Sequence, residues 1–371
     1  MPDVSDNEVL DEGLGRLAGT GPEFRGGLSN HGPMAAEALV RLGRPGAVEP
    51  WLDGYLGKLD QAPRPAARVT DENWREALGQ LNRVADWEAY LRAQLTAEPW
   101  RQVLARWWDR LLPGAAAAAT HGVIRTSHAA RSLAAAEPGA RAASGSSVNS
   151  PSVTSPSAVS AARRTDELAR GLAYWAASYL ELPGAPRTAG QRDLAAALNE
   201  LPTAGLASER GLITAQLAER LPVLPGFPEA VAGLRPPADP VADLGDLAAA
   251  FTRVFLSYGR TRPISLLHAV TAPAAARSVL PILPPELGRP TYDALWQVGA
   301  GLYAVYAGGV AAEPLPAGPA PSRDDVTDRA VAAGDEHAIK LTEACLRLHA
   351  ETPDPVFLHA AARASELLGG A

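Results

Sequence analysis

The chain has 371 residues, 47% of them hydrophobic, which is ample for one large core or two smaller ones and rules out a small cross-linked scaffold. Its formal charge of -7 comes from 41 acids against 34 bases spread along the whole length, so no basic stripe is present to neutralise a phosphate backbone and nucleic acid is not an expected partner. Cys345 is the only cysteine, which excludes an internal disulfide and every multi-cysteine zinc or iron–sulfur arrangement, leaving nitrogen and oxygen as the ligands of any metal.

Read from the N-terminus, "MPDVSDNEVLDEG" is acidic and has neither a basic n-region nor an apolar h-region, and no later stretch approaches 18 uninterrupted apolar residues. The expectation is a cytoplasmic protein without membrane contact. The following "GLGRLAG", 13–19, continues an acidic tail rather than a strand, so it is discounted as a flavin or nicotinamide phosphate loop. Beyond it alanine and leucine dominate and apolar residues recur three and four apart, which predicts an all-α fold. Gly32 and Pro33 start a helix over "MAAEALVRL" that Gly43 and Pro45 stop. Further helices are expected near 47–59, 71–95, 98–112, 117–136, 165–181, 189–200, 207–220, 242–258, 263–277, 291–307, 323–350 and 354–368. The proline-rich stretches 222–240 and 313–321 read as rigid connectors.

Residues 137–164, "EPGARAASGSSVNSPSVTSPSAVSAARR", hold almost no large apolar side chain and predict a flexible surface insertion. Helical patterns resume on both sides without a change of character, so 1–371 is read as one domain containing that insertion. No internal repeat of fixed period is found.

Five of the seven histidines sit in tight motifs: His31 in "SNHGPM", His121 and His128 in "THGVIRTSH", His268 in "LLHAVTAP" and His337 in "DEHAIK". His349 and His359 lie among exposed-looking residues. His121 and His128 are seven apart, on one helix face about 10 Å from each other. His337 and Lys340 are three apart on one face, close enough to bind the same ion. Several inward imidazoles without cysteine suit iron, zinc or copper, although each histidine taken alone reads first as an ordinary buried imidazole donating to a backbone carbonyl.

Lys340 is one of two lysines in a chain whose 32 other cations are arginine. Arginine does not lose its proton, whereas a desolvated lysine beside a cation does, and the neutral amine takes up carbon dioxide to give a carbamate with carboxylate-like oxygens. Pairing with Glu336 or Glu343 on a solvated face is the competing explanation.

Taken in order, "GLSNHGPMAAEALVRLG", "HGVIRTSHAARSL", "LARGLAYWAASY", "PISLLHAVTAPAAARSVLP" and "GDEHAIKLTEACL" resemble the questin oxidase family, typified by fungal enzymes acting on anthraquinone intermediates of polyketide pathways. The resemblance covers most of the chain. It implies a non-haem iron oxygenase that uses Fe(II) and molecular oxygen, with the metal held by four histidines and one N-carboxylated lysine. Lys340 matches that lysine, and His31, His121, His128, His268 and His337 match the histidines. That is one too many, with His268 or His31 the expected outsider. The alanine-rich composition and the 137–164 insertion depart from the fungal pattern.

The leading expectation is therefore an oxidoreductase that cleaves or oxidises an anthraquinone-like aromatic polyketide. Arg125 would pair with a substrate phenolate, and Trp175, Trp296, Tyr303 and Tyr306 would either wall a flat pocket or pack the core. A metal-dependent hydrolase is the first alternative, weakened because such sites recruit aspartates and only Asp335 lies near a candidate histidine. An inactive helical binding protein of the same fold is the second.

Overall fold

The apolar spacing of three and four produces helices that each bury one face, and in the computed structural model, which describes residues 6–137, 156–205 and 211–370, α-helix carries the fold. The helices are α1 (Asp6–Leu17), α2 (Gly32–Arg41), α3 (Val48–Leu56), α4 (Val84–Ala97), α5 (Trp100–Leu111), α6 (His121–Ala135), α7 (Pro156–Ala177), α8 (Leu194–Asn199), α9 (Ile213–Arg220), α10 (Phe227–Ala232), α11 (Pro240–Tyr258), α12 (Pro263–Arg277), α13 (Gly288–Tyr306), α14 (Arg323–Ala333), α15 (Glu336–Glu351) and α16 (Pro355–Leu368). Among the described residues the one sheet is a two-stranded antiparallel hairpin, β1 (Glu23–Phe24) on β2 (Leu28–Ser29). No described helix is long and apolar enough to cross a membrane.

Four helices form a closed ring: α2 packs on α6 and α15, and α12 packs on the same two. Around it α7 covers α4 and α6, α11 lies on α12 and α13, and α16 lies on α14 and α15. The α6–α7 contact depends on glycine. A Cβ at Gly171 would sit 3.0 Å from the Thr126 Cα, and one at Gly122 would sit 2.7 Å from the Trp175 Cβ, so both helices approach to backbone distance.

Several sequence expectations are corrected. The acidic tail is helix α1, whose Leu10, Leu14 and Leu17 are buried on one face beneath an acidic exterior. The helix expected over 71–95 begins only at Val84, because the chain turns at Gly79 with φ +69°. The helix expected over 323–350 is two. Gly334 ends α14 in the left-handed region at φ +65°, and Asp335 starts α15 by accepting hydrogen bonds from the His337 and Ala338 amides at 2.8 and 3.1 Å. Most of the expected insertion, 138–155, lies outside the described residues. Its end is not loop but the start of α7, held by the buried Arg164 guanidinium, which donates to Asp11 on α1 at 2.8 Å and to the Ser132 carbonyl on α6 at 2.8 Å.

Candidate metal centre

Each corner of the α2–α6–α12–α15 ring presents a side chain inward at a helix start. His31 stands immediately before α2, in a turn fixed by Asn30, which donates to the Gly21 carbonyl at 2.8 Å and accepts from the Gly32 amide at 2.9 Å. His121 is the first residue of α6. It follows Ala118, Ala119 and Thr120, three consecutive non-glycine residues at positive φ (46°, 54° and 73°), each strained by roughly 1 kcal/mol. His268 lies in the second turn of α12, and His337 and Lys340 occupy the first turns of α15.

The four rings converge. The Nε2 atoms of His31 and His121 are 2.6 Å apart, and the Nε2 of His268 lies 3.3 Å from that of His121. The His337 ring centroid is 4.4 Å from that of His31 and 5.6 Å from that of His268. One ligand atom each from His31, His121 and His337 falls within a common 4.8 Å, a spread that one ion can bridge.

The other ring nitrogens fix the tautomers. His121 Nδ1 lies 2.5 Å from the Ala118 carbonyl and His268 Nδ1 lies 2.5 Å from the Ile264 carbonyl. A carbonyl only accepts, so both Nδ1 atoms must carry the proton. His31 Nδ1 likewise donates to the Glu336 carboxylate at 3.1 Å. In the neutral rings each Nε2 is then a bare lone pair, and lone pairs 2.6 and 3.3 Å apart repel unless a cation lies between them. A proton does not readily serve, because burial, the Lys340 charge and the neighbouring rings hold His31, His121 and His268 well below the ordinary imidazole range. Imidazole nitrogens brought together in this way could hold a metal ion.

Lys340 is close enough for its charge to act on His31 and His121, is 2% exposed, and among the described residues its Nζ has no hydrogen-bond partner. Burial pulls its pKa down to about 8, against the opposing charges of Glu336 and Asp335. The surface explanation for this lysine fails: Glu343 points to Arg131 and Arg347, not to Lys340.

His128 is not part of the cluster. Two helical turns from His121, its Nδ1 lies 3.0 Å from Glu37 Oε2 and 3.2 Å from Arg131 Nη2, inside a separate buried ion network. His31 and His268, the expected outsiders, stand inside. Arg125 is also reassigned, since its buried guanidinium is committed to both Glu167 oxygens at 2.6 and 3.0 Å and no charge is left for a substrate phenolate. Trp175 and Trp296 are core residues donating to the Gly114 and Val231 carbonyls at 3.1 and 2.9 Å. Tyr303 packs on Tyr258 beside a different cavity, and only Tyr306 of the four lines the space next to the histidines. His349 is bonded to Asp354.

That space is a cavity of about 990 Å³ lined by His31, His121, His268 and His337, with apolar and polar side chains mixed around them and an exposed surface that is mostly apolar. Sequence reasoning named two further contributors, Glu336 and Asp335, but missed their roles. Glu336 orients His31, and Asp335 caps α15 while lying 3.5 Å from His337 Nδ1. Their signal was the acidic pair directly preceding His337 at a helix start. In comparisons with known proteins, no family model and no curated protein matches the chain.

Proposed function

We propose that this protein is a non-haem iron oxygenase acting on an anthraquinone-like aromatic polyketide, cleaving or oxidising its ring system with molecular oxygen as co-substrate. The observation that carries the reading is the meeting of deprotonated Nε2 atoms from His31, His121 and His268, with His337 beside them, at the wall of a cavity of about 990 Å³. His31, His121, His268 and His337 would hold Fe(II), and bound iron supplies the capacity to activate dioxygen. Lys340 would complete the set as a carbamate: its neutral amine adds to carbon dioxide, one N–C bond forms and one proton is released. The unpartnered, buried Nζ with a lowered pKa supports that step.

The chain's own residues do the rest. Glu336 and the Ala118 and Ile264 carbonyls lock ring orientation, so the lone pairs are aimed before any ligand arrives. The mostly apolar surface of the cavity offers a flat hydrophobic body its binding energy. We place this chemistry in the cytoplasm, in keeping with a single buried thiol at Cys345.

Anaerobically purified protein should contain about one equivalent of iron and consume dioxygen with an anthraquinone or anthrone. Zinc at full occupancy with ester turnover would replace this reading by the hydrolase. A folded chain without metal affinity would leave only a binding protein.

A further inference from the structure

The cavity beside the histidines has a charge pattern that the metal does not explain. Its lining contains four carboxylates, Glu23, Asp60, Asp335 and Glu336, and one cation, Arg262. Three of the acids are already engaged. Glu23 accepts from the Tyr174 hydroxyl at 2.9 Å, Glu336 accepts from His31, and Asp335 caps α15. Asp60 is exposed to solvent. Arg262 is half-buried and uncommitted. Its one hydrogen bond runs to the carbonyl of its own neighbour, Thr261, at 3.3 Å, and among the described residues no carboxylate lies within ion-pair distance of it.

Most half-buried arginines of this molecule hold a carboxylate, as do the buried Arg125, Arg131 and Arg164. Arg110 and Arg220 lack one too, but Arg110 stacks on Trp74 and Trp107 and Arg220 donates to the Ala204 and Gly205 carbonyls, whereas among the described residues Arg262 has neither an aromatic face nor a carbonyl outside its own neighbour. A guanidinium partly removed from water and left without an anion gains most from a ligand that brings one, because its planar fork binds an oxyanion through two parallel hydrogen bonds. The position is suitable. Arg262 stands at the N-terminal boundary of α12, six residues before His268 and so roughly 9 Å along the helix axis from it, about the width of a fused ring system. The lining also offers exposed apolar side chains: Leu28, Leu81, Leu212 and Ile264 are exposed by 46, 38, 41 and 38%.

We infer that Arg262 is the anion-binding residue of this cavity, pairing with one acidic oxygen group on an otherwise hydrophobic substrate whose body lies between Arg262 and the histidines. The inference rests on the proposed reading only in treating this cavity as the substrate site. It adds the substrate's charge class and the residue that selects it.

The test is calorimetric titration of the metal-free, full-length protein at pH 7.5 with naphthalene-2-carboxylate and, separately, with the isosteric neutral naphthalene-2-carboxamide. The wild type should bind the carboxylate about tenfold more tightly, the scale of one partly screened charge-assisted contact. Arg262→Gln should erase that preference while leaving carboxamide affinity and helical circular dichroism unchanged, and Arg262→Lys should keep part of it. Equal affinities in the wild type, a preference that survives Arg262→Gln, or no binding of either compound would overturn the inference. Because no metal is in the titration, its failure leaves the iron reading standing. Conversely, a wild type that fails to take up iron yet shows the Arg262-dependent preference would defeat the iron reading alone.

Discussion

A two-turn stretch of α6, His121 to His128, carries the same residue type at its two ends on the same helix face and puts it to opposite uses. At the N-terminal end His121 faces three other imidazoles and an unpartnered lysine, with no anion among the atoms that meet its Nε2. Two turns on, His128 faces Glu37, and Glu37 also accepts from Arg131 at 2.8 Å while Arg131 reaches Glu343 at 3.1 Å. At one end imidazole lone pairs face one another, and at the other the histidine is paired with a carboxylate that two cations share. The difference teaches that burial of a histidine does not identify a metal ligand. What identifies it is whether the neighbours leave its lone pair unanswered.

The two ends share a scaffold. Glu37 belongs to α2, Arg131 to α6 and Glu343 to α15, so the ion network ties together the three helices that also carry His31, His121, His337 and Lys340. Buried charges of this kind are costly to separate and specify one packing of the helices.

The largest expected effect separates the ends directly. His121→Ala or His337→Ala should weaken iron binding by at least about a hundredfold, since even groups that merely orient a ligand contribute about 10–100-fold. His128→Ala should bind iron within a few-fold of wild type but melt at a lower temperature. Metal analysis and thermal unfolding on the same three variants check it, and an iron-free His128→Ala protein that remains folded would erase the distinction drawn here.

The next effect tests Lys340. Lys340→Arg keeps the positive charge but cannot take up carbon dioxide, so it should lose iron and activity by tenfold or more, whereas Lys340→Glu should recover part of the iron binding through a shorter carboxylate. A carbon-13 carbamate resonance in wild type grown with labelled bicarbonate, absent from both variants, sharpens the assignment. Wild-type iron content in Lys340→Arg would defeat the carbamate.

Much of this centre was legible in the sequence because its signals are local. A glycine–proline helix start after His31, and a lysine one turn beyond His337 in a chain that otherwise writes arginine almost throughout, can be read from a few neighbouring letters. What was not legible depends on partners far along the chain. Arg125 read as a substrate anchor until Glu167, on α7, claimed it, and His128 read as a ligand until Glu37, on α2, did the same. Equally, the strained turn over Ala118–Thr120 has no glycine to announce it, although it supplies the carbonyl that orients His121. In the fold, α1 was hidden by its acidic exterior and the α14–α15 break by the strength of the helical pattern on either side of Gly334.

A third, smaller effect belongs to the ion network. Glu37→Gln keeps the shape but leaves Arg131 with one carboxylate instead of two, and should destabilise the fold by about 3 kcal/mol, the scale of a broken buried pair. Denaturant unfolding of the metal-free protein reads that loss. If the ends are separable, iron affinity should fall by less than tenfold. A larger fall would mean that the network sets the positions of the ligands as well as the stability of their helices.

The smallest effect is in the pH dependence of the metal-free protein, and its sign follows from the direction of the shifts. His31, His121 and His268 are all held below the ordinary value near 6.5 by burial, by Lys340 and by one another. The unfolded chain therefore takes up protons as pH drops below about 6.5 while the folded chain refuses them, so stability is full above that pH and declines below it. Burial opposes the ionisation of Glu37 and Glu343, but the arginines outweigh it and hold both below the usual carboxylate range. Their contribution is full above the ordinary carboxylate value near 4.3 and is lost only as pH falls further. The melting temperature should thus fall in two limbs, the upper from the histidine cluster with a share from His128, which burial and Arg131 also hold low, and the lower from the carboxylates of the ion network. His121→Ala should shrink the upper limb and leave the lower, Glu37→Gln should shrink the lower, and saturating metal should reduce the upper limb to the His128 share until the metal itself is displaced by acid. A single limb in the wild type, or a lower limb that both variants flatten equally, would show that the cluster and the network titrate as one unit.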